Sequence, residues 1–170
     1  MTETLSPALP DDVEAGTHRL LKAACARELK LATAESCTGG LLASLLTDVD
    51  GMGHVFDRGF IVYSEAAKCD LLGIEAGMID RCGAVSRDVA LAMAQGAVRG
   101  SAADVVLAVT GFAGRGGPDD EAGLVHFACA RRNGPVEHRE EHFGDIGRGE
   151  VRIASIRVGL DMMAAAVERA

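Results

Sequence analysis

The sequence has no tryptophan, a single tyrosine and few positive charges relative to negative ones. Its 17 Lys and Arg residues are outnumbered by 25 Asp and Glu residues, which gives a formal net charge of −8 at pH 7. Proteins that bind the phosphate backbone of nucleic acids need clustered Lys and Arg to displace counterions. The charge balance therefore argues against nucleic acid as a partner.

Long apolar runs are also missing. No stretch approaches the roughly 18 to 20 consecutive apolar residues of a membrane-spanning helix. The opening segment, MTETLSPALPDD, has neither the basic region nor the apolar region of a signal peptide. We therefore expect a cytoplasmic protein with no membrane partner.

The five cysteines are scattered, odd in number and without a C-x-x-C pair. This pattern indicates neither a disulfide framework nor a zinc site. We interpret the cysteines as free thiols that lie mostly in the core.

The chain does contain enough apolar material for one domain, since 48% of its 170 residues are hydrophobic. We expect a flexible N-terminal lead over residues 1–10 and a single domain over residues 11–170. Segments with helical spacing alternate with short apolar runs, and this alternation predicts a three-layer α/β/α domain with a mixed, mostly parallel sheet. The expected strands are KLATA, GFIVY, ADVVLAVTG, GLVHFACARR and PVEHREEHF, the last two joined by a turn at Asn133-Gly134.

The segment AESCTGG, residues 34–40, lies at a predicted strand-to-helix turn. Sites in α/β sheets form where loops leave the carboxyl ends of strands. Serine is a favoured helix N-cap, so Ser36 has a simple structural explanation. The two glycines could instead allow the backbone around Thr38, Gly39 and Gly40 to aim N–H groups at one point, as an oxyanion requires. Ser36 is therefore either a cap or a nucleophile.

A serine nucleophile needs a base, and the segment YSEAAK supplies a candidate in Lys68. If Ser64 caps a helix, Lys68 lies in its first turn, where the helix dipole lowers the pKa of the lysine so that it can accept a proton. Tyr63, at the end of the preceding strand, could donate a hydrogen bond or relay the proton. The alternatives are a solvated surface lysine and a core tyrosine with an exposed hydroxyl. Cys37 has no histidine near it in sequence and is the weaker candidate nucleophile.

Three further features allow both a functional and a structural explanation. Arg148 and Arg152, one helical turn apart, could clamp a phosphate or lie on a solvated helix face. The segment TGFAGRGG matches neither a dinucleotide fingerprint nor a P-loop, and is either a flexible turn or a ligand-contacting loop. His138 and His142 would lie about 13 Å apart on a strand, too far to share one metal ion.

Four segments, AESCTGG, YSEAAK, GAVS and AVTGFAGRGG, resemble in their order and spacing the CinA C-terminal-domain family. The characterised enzymes of that family are nicotinamide mononucleotide deamidases of the PncC type. The resemblance covers residues 11–168 and implies a stand-alone form, without the N-terminal domain that many longer members carry.

The resemblance implies a hydrolysis of nicotinamide mononucleotide to nicotinate mononucleotide and ammonia, in pyridine nucleotide recycling, that uses no metal and no cofactor. Ser36 matches the nucleophile of the family, Lys68 its base and Tyr63 its assisting tyrosine. Thr110 and Gly111 would line the nucleotide pocket. The expected partner is a small pyridine nucleotide, and we expect a homo-oligomer.

The chain departs from the family pattern at positions near the expected site. Where the family commonly has Pro-Gly-Ser-Ser, Met52 and Gly53 remove two hydroxyls, and Arg115 stands where proline is usual. Glu65 replaces an amide, and its carboxylate would favour the charged form of Lys68.

Two functions of different classes follow from these residues. The first is a serine amidohydrolase that acts on the mononucleotide. The second is a catalytically weak or silent nucleotide-binding or interaction module of the same fold. The intact set of Ser36, Tyr63 and Lys68 favours the first.

Overall fold

The computed structural model describes residues 9–170, so most of the expected N-terminal lead lies outside the described residues. A single 3₁₀ turn (Gly53–Val55) precedes the second strand. The helices and strands are, in chain order, α1 (Asp11–Ala26), β1 (Leu31–Glu35), α2 (Leu41–Leu46), β2 (Phe56–Ile61), α3 (Glu65–Leu72), α4 (Ala76–Cys82), α5 (Arg87–Arg99), β3 (Val105–Gly111), β4 (Leu124–Arg131), β5 (Val136–His142) and α6 (Arg148–Glu168).

The strands form one mixed sheet in the order β2-β1-β3-β4-β5. β1 runs parallel to both β2 and β3, whereas β4 is antiparallel to both β3 and β5. The predicted α/β sheet is confirmed, although parallel pairing is confined to one half of it. No helix separates β3, β4 and β5, and a chain that turns back directly pairs its strands antiparallel.

The predicted turn between β4 and β5 is confirmed. Ala130 pairs with Val136 across it, and Asn133 within it has a φ of 59°, in the left-handed region. Asparagine enters that region more readily than most residues, which is why Asn-Gly predicts such turns.

Helices cover both faces of the sheet and complete the three predicted layers. On one face, Leu107 of β3 shares a core with Leu20 of α1 and Met163 of α6. On the other face, Ala108 of β3 shares a core with Met93 of α5. All five residues of β1 are buried, as expected of a central strand covered on both faces.

Two short helices follow β2. α3 begins after Ser64, whose Oγ accepts a hydrogen bond from the N–H of Ala67, and ends at Gly73 with a φ of 66°, as the sequence predicts. The sequence does not predict α4, because Ile79 is the one buried residue of this helix and leaves no helical period to detect. Among residues 9–170, no helix combines the length and the apolarity that a bilayer crossing demands.

Candidate functional site

Ser36 and Lys68 meet at the end of the sheet formed by the carboxyl ends of β1 and β2. These strands are parallel neighbours, with Glu35 paired to Ile61, so the segments that follow them leave the sheet side by side. Lys68 Nζ lies 3.0 Å from Ser36 Oγ, a hydrogen-bond distance. Lys68 is 1% exposed and Ser36 is 7% exposed, so Lys68 is not the solvated surface lysine of the alternative interpretation.

The hydrogen-bond partners of the Lys68 amine are compatible with its neutral form, in which it can accept a proton. Besides Ser36 Oγ, Nζ lies 2.9 Å from the carbonyl oxygen of Val62 and 3.3 Å from that of Tyr63. Carbonyls only accept hydrogen bonds, whereas a neutral amine has two N–H donors and one lone pair. With both N–H groups on the carbonyls, the lone pair is left for the hydroxyl of Ser36.

Burial lowers the pKa of Lys68 below its usual value of 10.5, because the charged form is poorly solvated there. The carboxylate of Glu65 raises the pKa but has the smaller effect, so the net direction is downward. The expectation that Glu65 would hold the lysine charged is therefore outweighed by burial. Burial also raises the pKa of the Cys37 thiol to about 12, which leaves it protonated at neutral pH and a poor nucleophile.

Ser36 does not cap α2. The residue that precedes the first turn of α2 is Gly40, which has a φ of 93° and no capping side chain. The loop between β1 and α2 places three residues between Ser36 and that position, so the hydroxyl is not used to begin the helix. The structural explanation of Ser36 as an N-cap is wrong.

Glu35 takes the capping role and is a site residue that the sequence reasoning missed. Its buried carboxylate accepts hydrogen bonds from Thr38 Oγ1 (2.6 Å) and from the backbone N–H groups of Gly40 (3.1 Å), Leu42 (3.2 Å) and Ala43 (2.8 Å). A carboxylate is well matched to several N–H donors at a helix start. Glu35 therefore anchors the loop that carries Ser36, and the signal in the sequence is an acidic residue at the end of an apolar strand.

These contacts correct the expected oxyanion donors. The N–H of Gly40 is bound to Glu35, and the N–H of Gly39 donates to the carbonyl of Ser36 at 3.1 Å. In the described part of the chain, the backbone N–H groups of Cys37 and Thr38 donate to no backbone carbonyl. Of the three expected donors, Thr38 therefore remains for a ligand, together with Cys37, which was not predicted.

Arg148 and Arg152 contact different loops. Arg152 Nη2 donates to the carbonyl oxygen of Thr38 at 2.6 Å, so this guanidinium supports the serine loop. The guanidinium of Arg148 lies instead against the loop after β3, where a methyl group on Gly114 would be 3.4 Å from Nη2. Helical spacing predicts a shared side of α6 but not that the two side chains reach different loops.

A cavity of about 290 Å³ opens at this carboxyl end of the sheet. Its lining contains six of the sequence-predicted site residues, and Thr38, Gly39, Gly40 and Arg152 lie outside it. The six are Ser36, Tyr63, Lys68, Thr110, Gly111 and Arg148.

Tyr63 and Thr110 line the cavity in different ways. Tyr63 is 69% exposed, so it is not the core aromatic of the alternative interpretation, and its backbone carbonyl is the group that contacts Lys68. The hydroxyl of Thr110 donates to the carbonyl oxygen of Ala84 at 2.9 Å, which ties β3 to the segment before α5. Thr110 thus shapes the wall of the cavity with its hydroxyl proton already bound.

Two of the departures from the family pattern, Arg115 and the Met52-Gly53 pair, differ in their relation to the cavity. Arg115 lines the cavity, yet its guanidinium forms an exposed ion pair with Asp145 at 2.7 Å. Met52 packs against the apolar core, and Gly53 begins the 3₁₀ turn. Neither Met52 nor Gly53 is among the described residues that line the cavity.

The fold and the site define an α/β protein with a buried serine–lysine pair at the carboxyl ends of two parallel strands. The family model of the CinA C-terminal domain matches residues 13–167, and the chain belongs to this family. The family resemblance of the four sequence segments is therefore confirmed.

Solved structures and curated relatives agree with this assignment. A crystal structure described as competence/damage inducible protein CihA from Agrobacterium tumefaciens is 45% identical, with a TM-score of 0.90 over 94% of this chain and 98% of that one. A CinA-like protein of Akkermansia muciniphila is 49% identical over 110 residues, which are 64% of this chain and 27% of that protein. A CinA-like protein of Syntrophobacter fumaroxidans is 44% identical over 137 residues, or 79% and 32% of the two chains. The chain thus spans about a third or less of the length of these curated relatives.

Proposed function

We propose that this chain is a serine amidohydrolase that converts nicotinamide mononucleotide to nicotinate mononucleotide and ammonia in pyridine nucleotide recycling. The observation that carries the proposal is the 3.0 Å contact between Lys68 Nζ and Ser36 Oγ at the wall of a 290 Å³ cavity. A serine activated by an adjacent base is the arrangement that acyl transfer requires. A silent binding module has no need of a buried, desolvated lysine aimed at a serine hydroxyl.

In the proposed reaction, the neutral amine of Lys68 takes the hydroxyl proton of Ser36 as Oγ attacks the carboxamide carbon. The C–N bond then breaks, and the ammonium of Lys68 returns the proton to the leaving nitrogen, which departs as ammonia. Water then attacks the ester left on Ser36, with Lys68 again as the base. The bond from the acyl carbon to Ser36 Oγ breaks, the ammonium of Lys68 returns the proton to Oγ, and nicotinate mononucleotide leaves. The N–H groups of Cys37 and Thr38 follow Ser36 in the loop, donate to no backbone carbonyl of the described residues and are the candidates to stabilise the oxyanion.

The proposal predicts that purified protein releases ammonia from nicotinamide mononucleotide and releases it more slowly from the dephosphorylated riboside. Arg148 lines the cavity and is the candidate phosphate partner, since arginine binds phosphate in a bidentate manner. We expect Arg148→Ala to raise KM for the mononucleotide roughly tenfold, about 1.5 kcal/mol, and to leave KM for the riboside nearly unchanged. Steady-state ammonia release on both substrates measures this difference.

Arg152→Ala serves as the matched control, because this guanidinium binds the Thr38 carbonyl and lies outside the cavity lining. It should lower kcat/KM on the two substrates by the same factor, since it acts through the serine loop. An equal loss on both substrates in Arg148→Ala would place the phosphate elsewhere. Absence of ammonia release from every pyridine nucleotide, with nucleotide binding retained, would favour the silent module.

The lowered pKa of Lys68 predicts the form of the pH profile. The amine must be neutral to act, so kcat should rise with pH as Lys68 loses its proton and level off above its pKa. Glu65→Asn removes a carboxylate that raises this pKa, so the midpoint of the rising limb should move to lower pH. If the midpoint moves to higher pH in Glu65→Asn, or if the rising limb persists in Lys68→Met, the rise of kcat with pH belongs to a group other than Lys68.

A further inference from the structure

A second cluster of polar side chains lies on β4 and β5, outside the lining of the cavity. His126 of β4 pairs directly with Glu140 of β5, and His138 pairs with Ala128, two residues along the same strands. Side chains alternate between faces along a strand, so His126, His138 and Glu140 project from the same face of the sheet.

The donor atoms of this cluster are spaced as the ligands of one metal ion. His126 Nδ1 lies 3.1 Å from His138 Nε2 and 3.5 Å from Glu140 Oε2. The three donor atoms lie within 4.8 Å of one another. Ligands at about 2.0 to 2.1 Å from a tetrahedral zinc ion are about 3.3 Å apart, which falls between the two measured distances. We infer that His126, His138 and Glu140 form a binding site for a divalent transition-metal ion of the zinc class.

The carboxylate of Glu140 is oriented for this role. Its other oxygen, Oε1, lies 2.8 Å from His142 Nε2, and His142 Nδ1 lies 2.6 Å from Glu121 Oε1. The hydrogen bonds between Glu121 and His142 and between His142 and Glu140 therefore fix Oε1 of the Glu140 carboxylate. They leave Oε2 of Glu140 facing the two imidazoles. Outer hydrogen bonds of this kind fix the orientation of metal ligands.

The protonation states suit metal binding as well. Burial lowers the pKa of both His126 and His138, so the neutral imidazoles that ligate metals prevail at neutral pH. The hydrogen bond with His142 lowers the pKa of Glu140, which keeps its carboxylate ionised. Two histidines and one carboxylate leave a fourth position for water.

This site was missed by reasoning along one strand. His138 and His142 are too far apart along β5 to share an ion, but the partner of His138 comes from the neighbouring strand. β5 is an edge strand of the sheet and, within residues 9–170, pairs only with β4. An ion bound by residues of both β4 and β5 would stabilise the pairing of these two strands. None of the three ligands is among the described residues that line the cavity containing Ser36 and Lys68, so we expect the ion to stabilise the fold rather than to take part in the reaction.

Equilibrium dialysis of chelator-treated protein against Zn²⁺ tests the site. We expect one Zn²⁺ per chain and, with free Zn²⁺ at about one hundred times Kd, a rise in Tm of about 5–10 °C. Glu140→Gln, on an exposed edge strand, and His126→Ala should each bind Zn²⁺ at least about tenfold more weakly. His142→Ala should also weaken binding, since it frees the Glu140 carboxylate. His18→Ala, an exposed histidine of α1, is the control and should bind as the wild type does.

The hydrogen bond between the two imidazoles is the competing explanation of the 3.1 Å contact. If this hydrogen bond alone accounts for the cluster, wild type, His126→Ala and Glu140→Gln will bind Zn²⁺ equally. That result would contradict the proposed metal site. If His126→Ala does not fold, the comparison of Glu140→Gln with the wild type decides the question. Ammonia release by the chelated protein is expected to persist in either case, so this test is independent of the proposed amidohydrolase activity.

Discussion

Ser36→Ala is expected to lower kcat for ammonia release by at least about 10³-fold, which corresponds to about 4 kcal/mol of transition-state stabilisation. The reason is the 3.0 Å contact with Lys68 Nζ, which makes Ser36 Oγ the hydroxyl in reach of a buried base. Lys68→Met should cause a similar loss, since the serine is unreactive without a group to take its proton. The double variant should be scarcely worse than either single one, because a nucleophile and its base act as a unit.

Folding and binding controls separate this loss from structural damage. Ser44→Ala and Lys22→Met change exposed residues of the same types and should retain wild-type kcat. Binding of nicotinamide mononucleotide, measured by calorimetry, should survive in Ser36→Ala, since the proposed phosphate partner, Arg148, is a different residue. A residual kcat above about a tenth of wild type is under 1.4 kcal/mol of barrier and would contradict the nucleophile assignment.

Glu35→Ala is expected to have the largest effect on stability. The substitution leaves three backbone N–H groups and the Thr38 hydroxyl without their common acceptor in a buried region. Buried donors left unpaired are costly, and we expect a loss of about 3–5 kcal/mol, with Tm lowered by roughly 10 °C. Ammonia release should fall too, measured well below Tm, because the loop that carries Ser36 loses its anchor.

Two further variants sharpen this test. Glu35→Gln keeps one acceptor oxygen but turns the other into an N–H donor that faces N–H donors, so its loss should be smaller than that of alanine but clear. Glu168→Ala, an exposed glutamate at the end of α6, should unfold as the wild type does. Urea or thermal unfolding of Glu35→Ala within about 1 kcal/mol of wild type would mean that solvent replaces the carboxylate and that Glu35 is not an anchor.

Much of the local structure could be predicted because its causes are close in sequence. Ser64 and Gly73 mark the two ends of α3 with short-range signals, and Asn133 marks the turn between β4 and β5. The placement of Lys68 in the first turn of a helix follows from the same signals. The helix dipole was the expected cause of its low pKa, whereas the structure shows burial as the dominant one.

The structure differs from the sequence predictions in which groups particular side chains and backbone N–H groups contact. Arg148 and Arg152 are correctly placed on one helix, but long flexible side chains can reach different loops, and these two do. The glycine N–H groups expected to serve an oxyanion are used inside the protein. Spacing along the chain cannot reveal which acceptor a donor meets.

The sequence by itself determined most of the alternation of helices and strands, the family and the candidates for the reactive residues, since periodicity, capping residues and motifs are local properties. Only the tertiary structure decided that Lys68 reaches Ser36, that Glu35 binds four donors and that His126 joins His138. Each of these contacts depends on which strands become neighbours and in which register. That choice is made by burial of apolar surface on both faces of the sheet, a property of the whole chain rather than of any segment.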